Sequence, residues 1–143
     1  MVNFRTSSGI VGRLWTSSVA IGRQHGFDIQ VFGEKGGLRW ISEQPNQLIY
    51  SKLGNRTEII EKGEENLYDD AVRLSRVAIA HPEGFPLAVA NIYVDIAAVI
   101  NGNSRENLPT ASDGLRSMAA VYAATKSAKN TGEWTDARPP MFR

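Results

Sequence analysis

The feature that most constrains this chain is a change of hydrophobic period near its middle. Before residue 61 apolar side chains recur at every second position. Ile10, Gly12, Leu14 and Thr16 alternate with Val11, Arg13, Trp15 and Ser17, and Phe27, Ile29 and Val31 alternate with Asp28 and Gln30. That period is the mark of half-buried strands. Gly33-Glu34-Lys35-Gly36-Gly37 reads as a hairpin turn, after which Leu38-Arg39-Trp40-Ile41 resumes the alternation. Pro45-Asn46 breaks the chain before Gln47-Leu48-Ile49-Tyr50-Ser51, and Gly54-Asn55 turns it into Thr57-Glu58-Ile59-Ile60. Short strands joined by tight turns must be antiparallel neighbours, because parallel strands need long crossovers.

From Glu64 onward the spacing is helical. Leu67, Ala71 and Leu74 define one helix over Glu64–Val77. Ala80-His81-Pro82-Glu83-Gly84-Phe85 is a break, with Pro82 forcing His81 out of helical geometry. A strongly apolar helix follows to about Ile100 and stops at Asn101-Gly102-Asn103. Thr110 and Asp113 form an N-cap pair ahead of a last helix with Leu115, Met118 and Tyr122 on one face. Lys126 and Lys129 sit at the negative end of that helix's dipole, and Gly132 ends it. The tail from Trp134, with Pro139-Pro140, is expected to be irregular. Strands first and helices afterwards predict an α+β fold: an open, mainly antiparallel sheet with helices packed on one face, in a single domain over residues 1–143.

The other sheet face would present Phe32, Ile41, Ile49 and Leu53 among Asp28, Gln30, Arg39 and Ser51. Contiguous apolar surface of that kind marks an interface. A second copy of the sheet, or another domain, is the expected cover; a second copy would make the protein a homo-oligomer, in the simplest case a homodimer.

Composition removes several functions. Net charge is +1, with 16 basic and 15 acidic residues scattered along the chain, so there is no one-sided basic footprint for nucleic acid. Cysteine is absent, which excludes disulfides and thiolate chemistry and suits a reducing cytoplasm. The most apolar stretch, Phe85 to Ile100, is interrupted by Asn91 and Asp95 and is shorter than the roughly 20 residues a membrane span needs. Met1 to Ile10 has Arg5 but no apolar segment behind it, so no signal peptide is expected.

Neither a G-x-G-x-x-G nor a Walker A spacing occurs, so no residue is assigned to a cofactor. His25 and His81 lack metal-ligand neighbours at the usual spacing, and no metal is expected. Ser7-Ser8 and Ser17-Ser18 lie outside any nucleophile elbow. Glu64-Glu65 and Asp69-Asp70 suit a solvated helix start. The most site-like element is His81-Pro82-Glu83-Gly84, since histidine changes charge near neutral pH and loops beside rigid elements carry function. The competing account is a capping turn, with Glu83 at the start of the next helix and His81 bonded to backbone.

These blocks have a familiar order. Gly9 to Gly22, in particular Gly12-Arg13-Leu14-Trp15-Thr16-Ser17-Ser18-Val19-Ala20, is similar to the first sheet segment of the Gfo/Idh/MocA family, the glucose–fructose oxidoreductase and inositol dehydrogenase relatives. The similarity runs on through Val31-Phe32-Gly33-Glu34-Lys35-Gly36-Gly37-Leu38-Arg39-Trp40 and Gln44-Pro45-Asn46-Gln47-Leu48. It resumes at His81-Pro82-Glu83-Gly84-Phe85, Ala90-Asn91-Ile92-Tyr93, Leu108 to Leu115, Ser127, and Gly132-Glu133-Trp134. The resemblance implies a C-terminal domain like that of dihydrodipicolinate reductase, which in the family follows a Rossmann domain holding NAD or NADP. Such a domain shapes a sugar or polyol site and pairs sheets between subunits.

The chain also departs from the family. The catalytic Glu-Lys-Pro motif has no counterpart, because Glu34-Lys35 and Glu61-Lys62 are each followed by glycine. The family's acid/base histidine follows an aspartate by four residues, whereas Ile21 and Val77 stand four before His25 and His81. No catalytic residue is therefore assigned, and the substrate-side candidates are His81 and Trp40. Ala80 stands where relatives commonly have glycine, which puts the backbone shape of that turn in question. Two functions fit: a substrate-shaping and oligomerisation domain of an NAD(P)-dependent sugar or polyol oxidoreductase, inactive alone, or a freestanding binding or scaffold module reusing the fold. In-frame coding sequence for a G-x-G-x-x-G loop upstream of Met1 would separate the first from the second.

Overall fold

A computed structural model of the protein describes residues 1–65, 67–105 and 107–139. Residues 140–143, including Pro140 of the expected irregular tail, lie outside the described residues. The fold divides into two compact units, Met1–Val19 with Glu106–Arg143, and Ala20–Arg105.

In the first unit β1 (Val2–Arg5) and β2 (Val11–Leu14) form an antiparallel ribbon, Val2 opposite Leu14 and Arg5 opposite Val11. Strand β1 was not expected. A four-residue strand puts two side chains on each face, too few to establish a period. Its partner is fixed instead by the connecting turn, where Thr6 N–H donates to Ile10 O (2.8 Å) and Gly9 N–H to Thr6 O (3.0 Å). The unit's helix, α3 (Ala111–Lys129), opens with the anticipated capping box: Thr110 N–H donates to Asp113 Oδ2 at 2.8 Å, and Asp113 N–H to Thr110 Oγ1.

The end of α3 is strained. Gly132 N–H reaches back to Ser127 O (2.8 Å), which throws Thr131 into the left-handed region at φ 56°. A β-branched side chain there costs about 1–2 kcal/mol. Thr131→Gly is therefore expected to stabilise the fold by about 1 kcal/mol, less than the strain because glycine also loosens the unfolded chain. Thermal unfolding of the pair of proteins reads it.

The second unit is built on a meander, β3 (Asp28–Gly33), β4 (Gly36–Ile41), β5 (Gln47–Lys52) and β6 (Thr57–Glu61), hydrogen-bonded in sequence order and antiparallel throughout. The Gly-rich turn joins β3 to β4 as anticipated, with Gly33 opposite Gly36. Gly36 is required sterically: a Cβ there would stand 2.6 Å from Ser51 O of the neighbouring strand.

Register sorts the side chains into two faces. Ile29, Trp40, Leu48 and Ile60 share one row, and Val31, Leu38 and Tyr50 share the next on the same face. Asp28 and Ile41, then Gln30, Arg39, Ile49 and Ile59, then Phe32 and Ser51 lie on the other. The sequence grouping of Phe32, Ile41 and Ile49 with Asp28, Gln30, Arg39 and Ser51 thus matches the register, while Leu53 lies just past β5. On that face the Arg39 guanidinium grips Asp28 at 2.7 Å, and this hydrogen bond holds the Asp28 carboxyl below its usual range.

Helix α1 (Asp69–Leu74) is shorter than the expected Glu64–Val77. Glu64 folds back to accept from Glu61 N–H (2.8 Å), and the amides of Arg76 and Val77 bond to the Glu83 carboxylate instead of to helical carbonyls. Helix α2 (Phe85–Ile100) has the extent expected. Its two polar residues, four apart and so on one face, both contact the α1 segment. Asn91 donates to Leu74 O at 2.8 Å and accepts from Arg76 Nε at 2.5 Å, and buried Asp95 accepts from Arg73 NH1 at 2.7 Å and from Arg105 Nε at 3.1 Å. The remaining circumference is apolar and largely exposed, including Ile92, Tyr93, Val94, Val99 and Ile100.

Candidate functional site

The His81 turn is assembled from three directions. Within the turn, His81 N–H donates to Ala78 O (3.1 Å), leaving Ala80 as the residue that reverses the chain, at φ 67°. Glycine is usual where a tight turn needs positive φ. This alanine keeps the glycine-like conformation, which answers the question raised by its substitution.

From the sheet comes Asn46, in the β4–β5 connection. Its side chain pairs with the backbone of Glu83 in both directions, Glu83 N–H to Oδ1 and Nδ2–H to Glu83 O, each at 3.1 Å. From the end of β6 comes Lys62, whose backbone N–H is bonded to Asn46 O at 2.8 Å. Its ammonium donates to Val77 O (2.9 Å), Ala78 O (3.3 Å) and Glu83 Oε1 (3.1 Å).

At the centre lies the Glu83 carboxylate. One oxygen accepts from Arg76 N–H (2.6 Å), Val77 N–H (2.7 Å) and Lys62. Both side chains of the ion pair are 12% exposed. Burial pushes the Glu83 carboxyl upward, but the hydrogen bonds from Val77, Lys62 and Arg76 together outweigh it and hold it below its ordinary range. Glu83 therefore does not cap α2, whose N-cap Gly84 makes no side-chain bond; it closes the preceding loop.

His81 is exposed, and its Nδ1 lies 3.2 Å from Ile79 O. Trp40 is half-buried, donates from Nε1 to Pro45 O at 3.1 Å and meets Phe27 edge to face at 6.0 Å. The Pro45-Asn46 connection thus joins the two candidates, gripping Trp40 through one residue and the His81 turn through the next. Phe32, Ile41 and Ile49 belong to the sheet face opposite Trp40 and take no part. Asn46, Lys62 and Glu83 were not picked out from sequence as a unit. Asn46 read as a turn residue, and Lys62 carried no local signal.

No group of three or more metal-ligating side chains occurs among the described residues, and no described helix is long and apolar enough to cross a membrane. Glycines 33, 36 and 37 close a hairpin between antiparallel strands, Pro86 removes a donor from the first turn of α2, and the Thr110–Asp113 box occupies the start of α3. The described residues do not fit a dinucleotide pyrophosphate, which needs free amides at a helix start behind a glycine loop.

Comparison with known proteins gives a consistent picture. The model of the oxidoreductase family C-terminal alpha/beta domain (GFO_IDH_MocA_C) matches residues 1–135. The uncharacterised oxidoreductase YfiI of Bacillus subtilis is 28% identical over 137 residues, 90% of this chain and 35% of that protein. An oxidoreductase from Sinorhizobium meliloti superposes with a TM-score of 0.85 at 34% identity, over 94% of this chain and 39% of its own. An inositol dehydrogenase homologue from Azotobacter vinelandii, solved with NAD+, superposes with a TM-score of 0.87 at 30% identity, over 94% and 36%. The same kind of homologue, solved with NADH and myo-inositol, matches at 0.82 and 28%, over 94% and 38%. The chain spans little more than a third of these relatives. It belongs to the Gfo/Idh/MocA oxidoreductase family and carries that family's C-terminal alpha/beta domain.

Proposed function

We propose that this domain shapes the substrate site of an NAD(P)-dependent sugar or polyol oxidoreductase, pairs with a second copy through its sheet, and performs no redox chemistry alone. The observation that carries the reading is the His81 turn. It is an exposed imidazole on a loop locked from both sides, in a domain whose similar structures include one with NADH and myo-inositol. Nicotinamide chemistry supplies hydride transfer, which requires the cofactor to be held against the substrate. The residues here suit the complementary task of fixing hydroxyl groups, and the dinucleotide needs a separate domain. The exposed apolar circumference of α2 supports a larger assembly, since such surface rarely stays wet. A cysteine-free sequence suits a cytoplasmic setting.

Calorimetric titration of NAD(H) and NADP(H) into the purified 143-residue protein tests the division of labour. No heat of binding is expected at micromolar ligand, and neither is polyol turnover. A micromolar dissociation constant would overturn the proposal.

The oligomer part has its own test. Ile49 sits centrally on the face with Arg39 and Ile59 beside it and Phe32 and Ile41 nearby. Ile49→Asp places a charge there and is expected to convert a dimer into a monomer by light scattering on a sizing column. Unchanged mass in the variant, or a monomeric parent at high micromolar concentration, would remove that face from consideration.

A further inference from the structure

We infer that Asn46 and Lys62 are positioning residues that force His81 to present Nε2 as a bare hydrogen-bond acceptor for a substrate hydroxyl; this rests on the polyol reading above. A carbonyl oxygen can only accept, so the contact between His81 Nδ1 and Ile79 O at 3.2 Å places the proton of the neutral ring on Nδ1. The lone pair is left on Nε2, on an exposed side chain. Free histidine prefers the opposite tautomer, so the turn selects the accepting form. A hydroxyl of a polyol is the complementary donor.

The selection depends on a strained backbone. Ala80 at φ 67° is a conformation alanine avoids, and such residues persist only where their surroundings over-determine them. The surroundings here are two side chains from the sheet's end. Lys62 holds Val77 O and Ala78 O on the upstream side, while Asn46 holds both backbone groups of Glu83 on the downstream side. Ile79, Ala80, His81 and Pro82 span the gap between these grips. Without them the turn relaxes, Ile79 O moves off Nδ1, and the imidazole reverts to its free preference.

Ring-nitrogen NMR on the 15N-labelled protein in mildly alkaline buffer, above the ordinary histidine range, reads the tautomer directly. The expected wild-type result is a protonated Nδ1 and an unprotonated Nε2 for His81. Asn46→Ala and Lys62→Met each move His81 to the Nε2-protonated form, with His25 unchanged as the internal reference. If either variant loses its dispersed sheet amides, it is repeated with sucrose as a stabilising osmolyte, which leaves the strain at Ala80 in place. A folded Asn46→Ala or Lys62→Met protein whose His81 keeps the Nδ1 proton would overturn the positioning role. Adding myo-inositol to the wild type is expected to shift the His81 Nε2 resonance. No shift would overturn the polyol reading, while the tautomer measurement still decides the clamp by itself.

Discussion

Asp95→Ala is expected to lower the unfolding free energy by about 3 kcal/mol, the bottom of the range for stripping one partner from a buried ion pair. Asp95 is 7% exposed, in a largely apolar helix. Its carboxylate accepts Arg73 NH1 at 2.7 Å, Arg73 NH2 at 3.5 Å and Arg105 Nε at 3.1 Å. One arginine comes from α1 and the other from the segment after α2, so a single carboxylate ties both to the helix between them. Deleting it leaves two guanidinium groups facing each other across the vacated position. The loss stays at the low end because the arginine side chains are 34% and 33% exposed and can recover water. Urea unfolding should show the midpoint falling by about 1–2 M for a slope typical of this size. Arg73→Ala should cost less, since Arg105 still neutralises Asp95. The double variant should be non-additive, because the two residues share one network. A midpoint unmoved by Asp95→Ala would mean that the helix is held by its apolar contacts alone.

What sequence revealed and what it withheld follow from the range of the interactions. The β3–β4 hairpin, the extent of α2 and the Thr110–Asp113 box were legible because each is specified within a few residues: glycines at a turn, a proline and an Asn-Gly at helix ends, a threonine three before an aspartate. The faces of the sheet were legible for the same reason, since period and turn length fix register. The clamp was not. Asn46 and Glu83 lie 37 positions apart and Lys62 and Val77 15 apart, and nothing local distinguishes an asparagine that grips a distant backbone from one that merely turns its own. The shortened α1 is a consequence: its spacing continues to Val77, but Glu83 competes for the amides of Arg76 and Val77 and wins with a charge. Asp95 was visible as an interruption in an apolar run, and its partners were not.

The second large effect belongs to Glu83. Glu83→Ala strands the amides of Arg76 and Val77 and leaves the Lys62 ammonium, 12% exposed, without its counter-charge. Loss of two charge-assisted hydrogen bonds and a buried ion pair sets the expected cost at about 3–4 kcal/mol. Glu83→Gln keeps an acceptor oxygen and loses only the charge, so about half of that is expected. The two variants also separate by pH. The Glu83 carboxyl is held below its ordinary value of 4.5, because the three donors outweigh the opposing effect of burial. A carboxyl with a lower value in the folded state than in the unfolded one stabilises the fold fully above the unfolded value. That contribution drains away as pH falls through the folded value. The stability gap between wild type and Glu83→Gln should therefore be constant from neutral pH down to about 5 and then narrow progressively in acid. A gap of the same size at pH 7 and pH 3 would show that the carboxylate's charge is not what closes the loop. It would leave the Asn46 grip and the Lys62 bonds to Val77 O and Ala78 O to hold His81 in place.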